Sequence, residues 1–280
     1  MLKQRIITAA VLLALLLPAL VVEPAWPFAA LTLLAIAAAG WEWGRLNGAG
    51  RWSIPLAIGL AVACIAAFAA GWAGAAPAGV WWLATVVWLV GGFVVLRLGP
   101  SDWPRLPAPW RWALGLLILW TGWLALTNAK AQGLDFILSV FAVVWAADIC
   151  AYFGGRAWGR RKLAPTISPG KSWEGVWSGM AGALVVAAAW LAAEAAIGGP
   201  STSVFALVAA RFGWAGMALV VVFLVAMSVV GDLFESLVKR SSGAKDSSGL
   251  LPGHGGILDR IDALLPVFPI ALALVTAARP

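Results

Sequence analysis

Charged residues are scarce in this sequence: they make up 11% of its 280 residues, whereas soluble domains contain about a quarter. Hydrophobic residues make up 62%, and the mean hydropathy is +0.94. So little charge excludes a soluble globular enzyme, and so high a hydrophobicity excludes a disordered chain. The sequence therefore predicts a protein that folds within a lipid bilayer.

Cysteine and histidine are also scarce, since the chain has two Cys and one His. Cys64 and Cys150 both fall inside apolar runs, which argues against a disulfide framework and against a thiolate metal site. We interpret both as small buried hydrophobic side chains. A metal site in this chain would have to use oxygen ligands.

Positive charge is in excess, with a net charge of +7, but Lys and Arg are scattered between apolar runs and form no extended basic tract. This pattern argues against nucleic acid as a partner. With nine membrane spans, every basic residue except Lys130, Arg211 and Arg279 falls on the N-terminal side of the membrane. Because cytoplasmic loops retain positive charge, the pattern predicts a cytoplasmic N-terminus.

Apolar runs long enough to cross a bilayer, which takes about 20 residues, follow one another along the chain. The predicted fold is an all-α polytopic membrane protein with about nine transmembrane helices. The first run is kept as a helix rather than a signal peptide, because no exported soluble segment follows it. Residues 204–210 are too short to cross and are predicted to be interfacial or re-entrant. The nine runs centre on residues 6–22, 25–41, 53–72, 80–96, 112–127, 136–152, 176–193, 212–235 and 263–278.

Tryptophan is abundant, with 19 residues. Trp26, Trp43 and Trp110 lie near the ends of apolar runs, where an amphipathic ring suits the headgroup region. We interpret these residues as interfacial anchors rather than as a ligand cage.

The 12 acidic residues fall into two groups. One group lies singly near run ends, where solvation at the interface explains it: Glu23, Glu42, Asp102, Asp135 and Glu194. A carboxylate deeper in the bilayer costs about 2.5–3.5 kcal/mol, so a concentration of acids near spans indicates function. The second group lies at the cytoplasmic ends of spans six to eight or in the two most basic loops: Asp148, Glu174, Asp232, Glu235, Asp246, Asp259 and Asp262.

The acids near the last two spans follow helical spacing. Asp232, Glu235, Ser236 and Lys239 form one stripe if span eight stays helical to its end. Asp259 and Asp262 would likewise point the same way on one helical turn, although aspartate at a helix start also serves as a cap.

A polar, glycine-rich loop joins these two segments. Gly253, Gly255 and Gly256 allow backbone N–H groups to turn toward an anion with no side chain in the way, and Lys239, Arg240 and Lys245 supply positive charge. His254, set among the glycines, is predicted to contact phosphate or to handle a proton. The loop has the composition of a phosphate site, without the Walker spacing.

A second polar loop follows span six. Asp148 and Tyr152 are spaced to face the same way, and residues 168–175 read SPGKSWEG, a turn into a helix that Ser172 can cap. Arg160, Arg161 and Lys162 are explained by membrane orientation alone.

These features together specify a chemistry. Carboxylates without His or Cys partners suit Mg²⁺, which binds through one or two carboxylates plus substrate phosphates. Because the site lies at a membrane face, one substrate is expected to be a lipid and the other a water-soluble phosphate compound.

Residues 236–262 resemble the signature of phosphatidate cytidylyltransferases, also called CDP-diacylglycerol synthases. The resemblance rests on SLVKR at 236–240, KD at 245–246 and LPGHGGILDRID at 251–262. Residues 168–175 are similar to a second motif of that family, in which a lysine often stands where this chain has Gly170. The resemblance implies transfer of CMP from CTP to phosphatidic acid, giving CDP-diacylglycerol and pyrophosphate.

The resemblance also implies roles and a location. Residues 1–130 would be N-terminal transmembrane helices and 131–280 a catalytic transmembrane domain, in the bacterial inner membrane with the active site facing the cytoplasm. The partners would be CTP, phosphatidic acid and membrane lipids, with a homodimer and a K⁺ ion beside Mg²⁺ left open. Asp232 and Asp259 would hold Mg²⁺, with Asp246 and Asp262 as further ligands or orienting groups and Lys239 as a catalytic cation. The substrate-binding set would be Arg240, Lys245, His254, Gly255, Gly256, Arg260, Ser168, Lys171, Glu174, Asp148 and Tyr152.

Two alternatives stay open from the sequence. An ion-coupled transporter would spread polar residues along several spans toward the midplane, whereas here they cluster at one face. A nucleotidyltransferase for a different lipid phosphate would differ only in its lipid pocket, whose residues the sequence does not reveal.

Overall fold

The protein is an all-α polytopic membrane protein, described by a computed structural model that covers the backbone of residues 2–278 and the side chains of residues 4 and 6–277. Of the basic residues behind the predicted orientation, Lys3, Arg5 and Arg279 have side chains outside this part. The helices are α1 (Leu2–Val21), α2 (Ala25–Leu46), α3 (Ser53–Ala69), α4 (Trp72–Ala75), α5 (Ala78–Val86), α6 (Gly92–Leu98), α7 (Ala108–Gln132), α8 (Leu134–Trp158), α9 (Trp173–Ile197), α10 (Val204–Ser241), α11 (Leu258–Ile261) and α12 (Leu264–Ala278).

Eight helical stretches in the described residues are long and apolar enough to cross a membrane. The first predicted span corresponds to the shorter apolar stretch Ile6–Val21 of α1. Helices α5 and α6 form one of the eight spans, joined by a π-helical turn at Val87–Gly91. The total of nine spans and the side on which the N-terminus lies stay predictions.

The stretch labelled α10 consists of two helices that meet at a kink. Residues 204–210, expected to be a separate interfacial or re-entrant piece, lie in the short first helix, where Phe205 and Val208 are buried; their place in the membrane stays a prediction. The break falls at Gly213, whose φ of 70° and ψ of −179° only glycine adopts readily. Beyond Gly213 the helix continues to Ser241, so Asp232, Glu235 and Lys239 lie on its last turns.

A short antiparallel hairpin lies between α8 and α9. Strand β1 (Lys162–Ala164) pairs with β2 (Ser168–Ser172), with Lys162 opposite Ser172 and Ala164 opposite Ser168. The sequence indicates a turn here but not the strand pairing. The hairpin ends where α9 begins, and Ser172 caps that helix as predicted, its Oγ accepting a hydrogen bond from the Gly175 N–H at 3.2 Å.

An aromatic cluster fixes the end of α10. Phe234 lies 5.8 Å from Trp43, 5.7 Å from Trp103 and 5.6 Å from Trp88, measured between ring centroids. Trp43 is only 1% exposed, so its interpretation as an interfacial anchor is wrong, while Trp26 and Trp110 are 63% and 73% exposed. The prediction failed because it used only the position of Trp43 near the end of an apolar run, whereas the side chain faces α10.

Glycines bring α8 and α9 into close contact. A Cβ atom at Gly175 would lie 2.9 Å from the carbonyl oxygen of Ala151, and one at Gly179 would lie 2.8 Å from that of Ala147. Small residues at such an interface let two helix backbones approach in a membrane. This contact places Asp148 of α8 next to the hairpin that precedes α9.

We expect Gly179→Ala to lower the thermal unfolding temperature in detergent, because the added methyl meets the backbone of α8, and overpacking of this kind costs about 1–3 kcal/mol. Gly59→Ala is the matched control, since Gly59 is also helical and a Cβ atom there meets nothing within 4 Å. Equal unfolding temperatures for the two variants would contradict this account of the α8–α9 interface.

Candidate active site

Lys239 links α10 to α11. Its Nζ atom lies 2.5 Å from Glu235 Oε2, one turn earlier on α10, and 2.5 Å from Asp259 Oδ1 on α11. The lysine is only 9% exposed, so these contacts are largely shielded from water. The predicted stripe on α10 is therefore present, and it contacts the second acidic segment through an ion pair.

Asp259 holds the glycine-rich loop. Its Oδ2 atom accepts hydrogen bonds from the Ser247 N–H at 2.9 Å, the Ser247 hydroxyl at 2.8 Å and the Gly256 N–H at 2.7 Å. One carboxylate thus ties both ends of residues 247–256 together. Charged acceptors of this kind form the stronger hydrogen bonds in proteins.

Glu42 of α2 contacts the same loop, and its interpretation as a solvated interfacial acid is wrong. The residue is fully buried, and its carboxylate accepts hydrogen bonds from the Ser248 hydroxyl and from the backbone N–H groups of Ile257 and Leu258, with the Ser247 hydroxyl also within hydrogen-bond distance. Its neighbours in the chain gave no indication of this, because its partners lie some 200 positions further on.

A pocket of about 510 Å³ opens between α8, β2, α9 and α10. One part of its wall is polar, with Asp148, Ser168, Lys171 and Asp232, and another part is apolar. The remaining lining comprises Ala147, Ala151, Tyr152, Gly155, Arg156, Gly170, Ser172, Gly175, Val176, Gly179, Val225 and Val229. Its shape and lining suit a molecule with an anionic head and an apolar body.

An ion pair spans the polar part of this pocket. Lys171 Nζ on β2 lies 2.6 Å from Asp232 Oδ2 on α10, while Asp232 Oδ1 accepts a hydrogen bond from the Ser236 hydroxyl at 3.3 Å. Asp148 interacts electrostatically with both Lys171 and Asp232. Residues from three separate stretches of the chain therefore meet at this point.

Asp262 connects the pocket to the loop. It interacts electrostatically with Asp232, Lys171 and Lys239, and its Oδ1 atom accepts a hydrogen bond from the Ala263 N–H at 2.8 Å. Among the residues that the structure describes, no three or more His, Cys, Asp or Glu side chains are grouped as metal ligands. Lys171 and Lys239 instead stand next to the acids.

The other predicted residues take different places. Glu174 faces the hairpin, where it accepts hydrogen bonds from the backbone N–H groups of Arg160 and Arg161, each at 3.1 Å. Arg240 reaches the carbonyl oxygen of Ile167 at 3.4 Å.

Arg260 reaches the His254 carbonyl at 2.6 Å, and the buried His254 Nδ1 has no hydrogen-bond partner among the described residues. Lys245 and Asp246 are exposed, and the Cβ atom of Asp246 lies beside Gly255.

The fold and this site define a polytopic membrane protein with paired lysines and acids at one end of α10. The chain belongs to the cytidylyltransferase family, whose family model matches residues 3–278.

Several curated relatives are named phosphatidate cytidylyltransferase. The one from Pseudomonas aeruginosa is 45% identical over 290 aligned residues, which cover 99% of this chain and 98% of the relative. The one from Haemophilus influenzae is 51% identical over 143 residues, 51% of this chain and 46% of the relative. The one from Brucella suis is 42% identical over 190 residues, 65% of this chain and 62% of the relative.

Proposed function

We propose that this protein transfers CMP from CTP to phosphatidic acid, producing CDP-diacylglycerol and pyrophosphate for phospholipid biosynthesis. The observation that carries the proposal is the pocket between α8, α9 and α10, which joins the Lys171–Asp232 pair to an apolar wall at Val176, Val225 and Val229. The whole-length similarity to a phosphatidate cytidylyltransferase supports it.

Each substrate has a matching part of the site. The phosphate of the lipid would lie near Lys171 and its acyl chains along the apolar wall of the pocket. The phosphates of CTP would lie against the tip of the glycine-rich loop, with Lys245 and Arg260 supplying positive charge. Because Lys239 and Asp262 lie between these two parts, the reacting phosphates would meet above the last turns of α10.

The reaction needs no covalent enzyme intermediate. A phosphate oxygen of phosphatidic acid attacks the α-phosphorus of CTP, a new P–O bond forms, and the bond to the departing pyrophosphate breaks in line. Lysine ammonium groups offset the charge on the transferring and leaving groups.

A magnesium ion is part of the proposal, and the residues present fit one. Mg²⁺ binds through one or two carboxylates plus substrate phosphates, and Asp232 in the pocket wall interacts electrostatically with Asp262. Glu235 Oε1 beside them is buried without a hydrogen-bond partner among the described residues, which suits a nearby cation. When bound, the ion would offset charge on the phosphates.

We assign Asp232 and Asp262 as its ligands. Asp259 Oδ1 contacts Lys239 and its Oδ2 accepts three hydrogen bonds, whereas Asp232 contacts Lys171 through Oδ2 and accepts one hydrogen bond, from Ser236, through Oδ1. A metal ion would therefore displace fewer donors from Asp232 than from Asp259. The predicted ligand roles of Asp259 and Asp246, and the K⁺ ion, stay predictions.

The site is proposed to face the cytoplasm of a bacterial inner membrane, where CTP is made. Arg156, Arg160 and Arg161 near the hairpin agree with this side. A nucleotidyltransferase for a different lipid phosphate is the remaining alternative, and a homodimer stays a prediction.

The direct test uses purified protein in mixed micelles with CTP labelled on its α-phosphate. We expect label to enter lipid with phosphatidic acid, and not with diacylglycerol, which lacks the attacking phosphate. A polyprenyl phosphate tests the alternative acceptor. Label transferred to that lipid and not to phosphatidic acid would overturn the proposal.

We predict that Asp259→Asn abolishes CTP-dependent turnover while the protein stays folded in the membrane, because Lys239 and the glycine-rich loop lose their shared anion. Arg160→Ala is the control, since only the backbone N–H of Arg160 bonds to Glu174 and the side chain is exposed. Near-normal turnover in the Asp259 variant would refute this role.

Lys171→Met should lower kcat/KM by about 100-fold, a loss typical of removing one group that stabilises transition-state charge. Lys162→Met is the matched control, because Lys162 lies on the neighbouring strand and is exposed. Initial rates measured against the mole fraction of phosphatidic acid would check this, and a similar loss in both variants would contradict it.

Asp262→Asn should raise the Mg²⁺ concentration that gives half-maximal rate by at least about tenfold, as the loss of a carboxylate ligand or its support does. Asp246→Asn should shift it less, since Asp246 is exposed. If the required Mg²⁺ concentration rises more in the Asp246 variant than in the Asp262 variant, the metal site lies at the glycine-rich loop and not at Asp262.

A further inference from the structure

Glu42 has an unusual set of partners for an acid in a transmembrane helix. Its Oε1 atom accepts from the Ser248 hydroxyl at 2.5 Å and the Ile257 N–H at 3.0 Å. Its Oε2 atom accepts from the Leu258 N–H at 2.7 Å and lies 3.2 Å from the Ser247 hydroxyl oxygen, whose closer acceptor is Asp259 Oδ2 at 2.8 Å. The Ser248 hydroxyl and the two backbone N–H groups are donors, which suits a carboxylate that only accepts.

These partners lie on both sides of the glycine-rich segment. Ser247 and Ser248 precede it, and Ile257 and Leu258 follow it, while an isolated bridge pairs Leu251 with Gly255 inside it. Glu42 therefore closes the base of a narrow loop whose tip carries Gly253 and His254. Space at the base is tight, since a Cβ atom at Gly256 would clash with Ser247 and Glu42.

Ser247 connects Glu42 to the site. Its hydroxyl oxygen lies within hydrogen-bond distance of both Glu42 Oε2 and Asp259 Oδ2, and Asp259 in turn pairs with Lys239. Anything that moves Glu42 would thus move the loop base, Asp259 and the catalytic lysine together.

We propose that Glu42 is a positioning residue that sets the glycine-rich loop for binding the phosphates of CTP. This inference rests on the proposed function, and it assigns a role to the N-terminal helices, which would otherwise only anchor the protein. Glu42 does not touch substrate; it acts through the backbone N–H groups of the loop.

The decisive variant is Glu42→Gln, which keeps the size and removes the second acceptor. Each oxygen of Glu42 faces one backbone N–H, so either orientation of the glutamine amide turns its NH₂ group toward a backbone donor. An unmatched buried donor is costly, and the loop should move to relieve it.

We expect Glu42→Gln to raise the KM for CTP about tenfold and to change the KM for phosphatidic acid by less than about twofold. Tenfold corresponds to about 1.4 kcal/mol. A purely structural role would lower kcat through a smaller folded fraction and leave the KM for CTP unchanged. Glu23→Gln is the matched control, because Glu23 is exposed just before the other end of α2.

Hydrogen exchange gives a readout that does not depend on the reaction. In Glu42→Gln the backbone N–H groups of Ile257 and Leu258 should exchange faster than in the parent protein, and in Glu23→Gln they should not. If the parent protein shows no CTP turnover but this difference is present, the proposed function fails while the positioning role of Glu42 in the loop stands.

Ser248→Ala is a second variant in case Glu42→Gln does not fold. It removes one donor to Oε1 and should raise the KM for CTP about two- to threefold. Its effect should add little to that of Glu42→Gln, because both act on the same contact. Unchanged KM for CTP and unchanged exchange in the folded variants would overturn the inference.

Discussion

The ammonium group of Lys239 lies between the carboxylates of Glu235 and Asp259, in a part of the molecule largely removed from water. Taking such charges out of water is expensive, and breaking a buried ion pair by removing one partner costs about 3–5 kcal/mol. These contacts therefore hold together the end of α10, the start of α11 and the glycine-rich loop. Asp262 interacts electrostatically with Lys171 at the pocket and with Lys239. The pocket beside Asp232 therefore depends on the same arrangement.

Around this centre the chain uses acids in two different ways. Asp259 and Glu42 accept hydrogen bonds from the loop and shape it. Glu174 does the same for the hairpin, through the backbone of Arg160 and Arg161. Asp232 instead pairs with Lys171 at the pocket, and Asp262 interacts electrostatically with both. Acids of identical chemistry thus separate into those that hold backbone segments and those that contact lysine at the pocket.

The sequence predicted most of the helices, because runs of apolar residues in a membrane leave the backbone few alternatives to a helix. From helical spacing it also predicted that Asp232 and Lys239 share one stripe of α10, and the resemblance at 236–262 put Lys239 and Asp259 in one segment. Lys239 and Asp259 are indeed in contact. It failed for Glu42 and Trp43, which lie on α2 and face α10 and α11. Their burial depends on how distant helices pack, and no local pattern encodes that. The pairing of β1 with β2 was missed for a related reason, since strands of three and five residues carry little periodicity.

Phe234 gives the last turns of α10 a fixed orientation. Its ring is enclosed by Trp43, Trp88 and Trp103, which come from three other parts of the chain, and its neighbours Leu233 and Leu237 are buried as well. A helix wedged in this way cannot roll about its own axis without displacing several indole rings. The acidic side chains of α10 are thus held in a fixed orientation. A ligand that enters the pocket beside Asp232 would therefore have to be accommodated from the side of α8 and the hairpin, and not by rotation of α10.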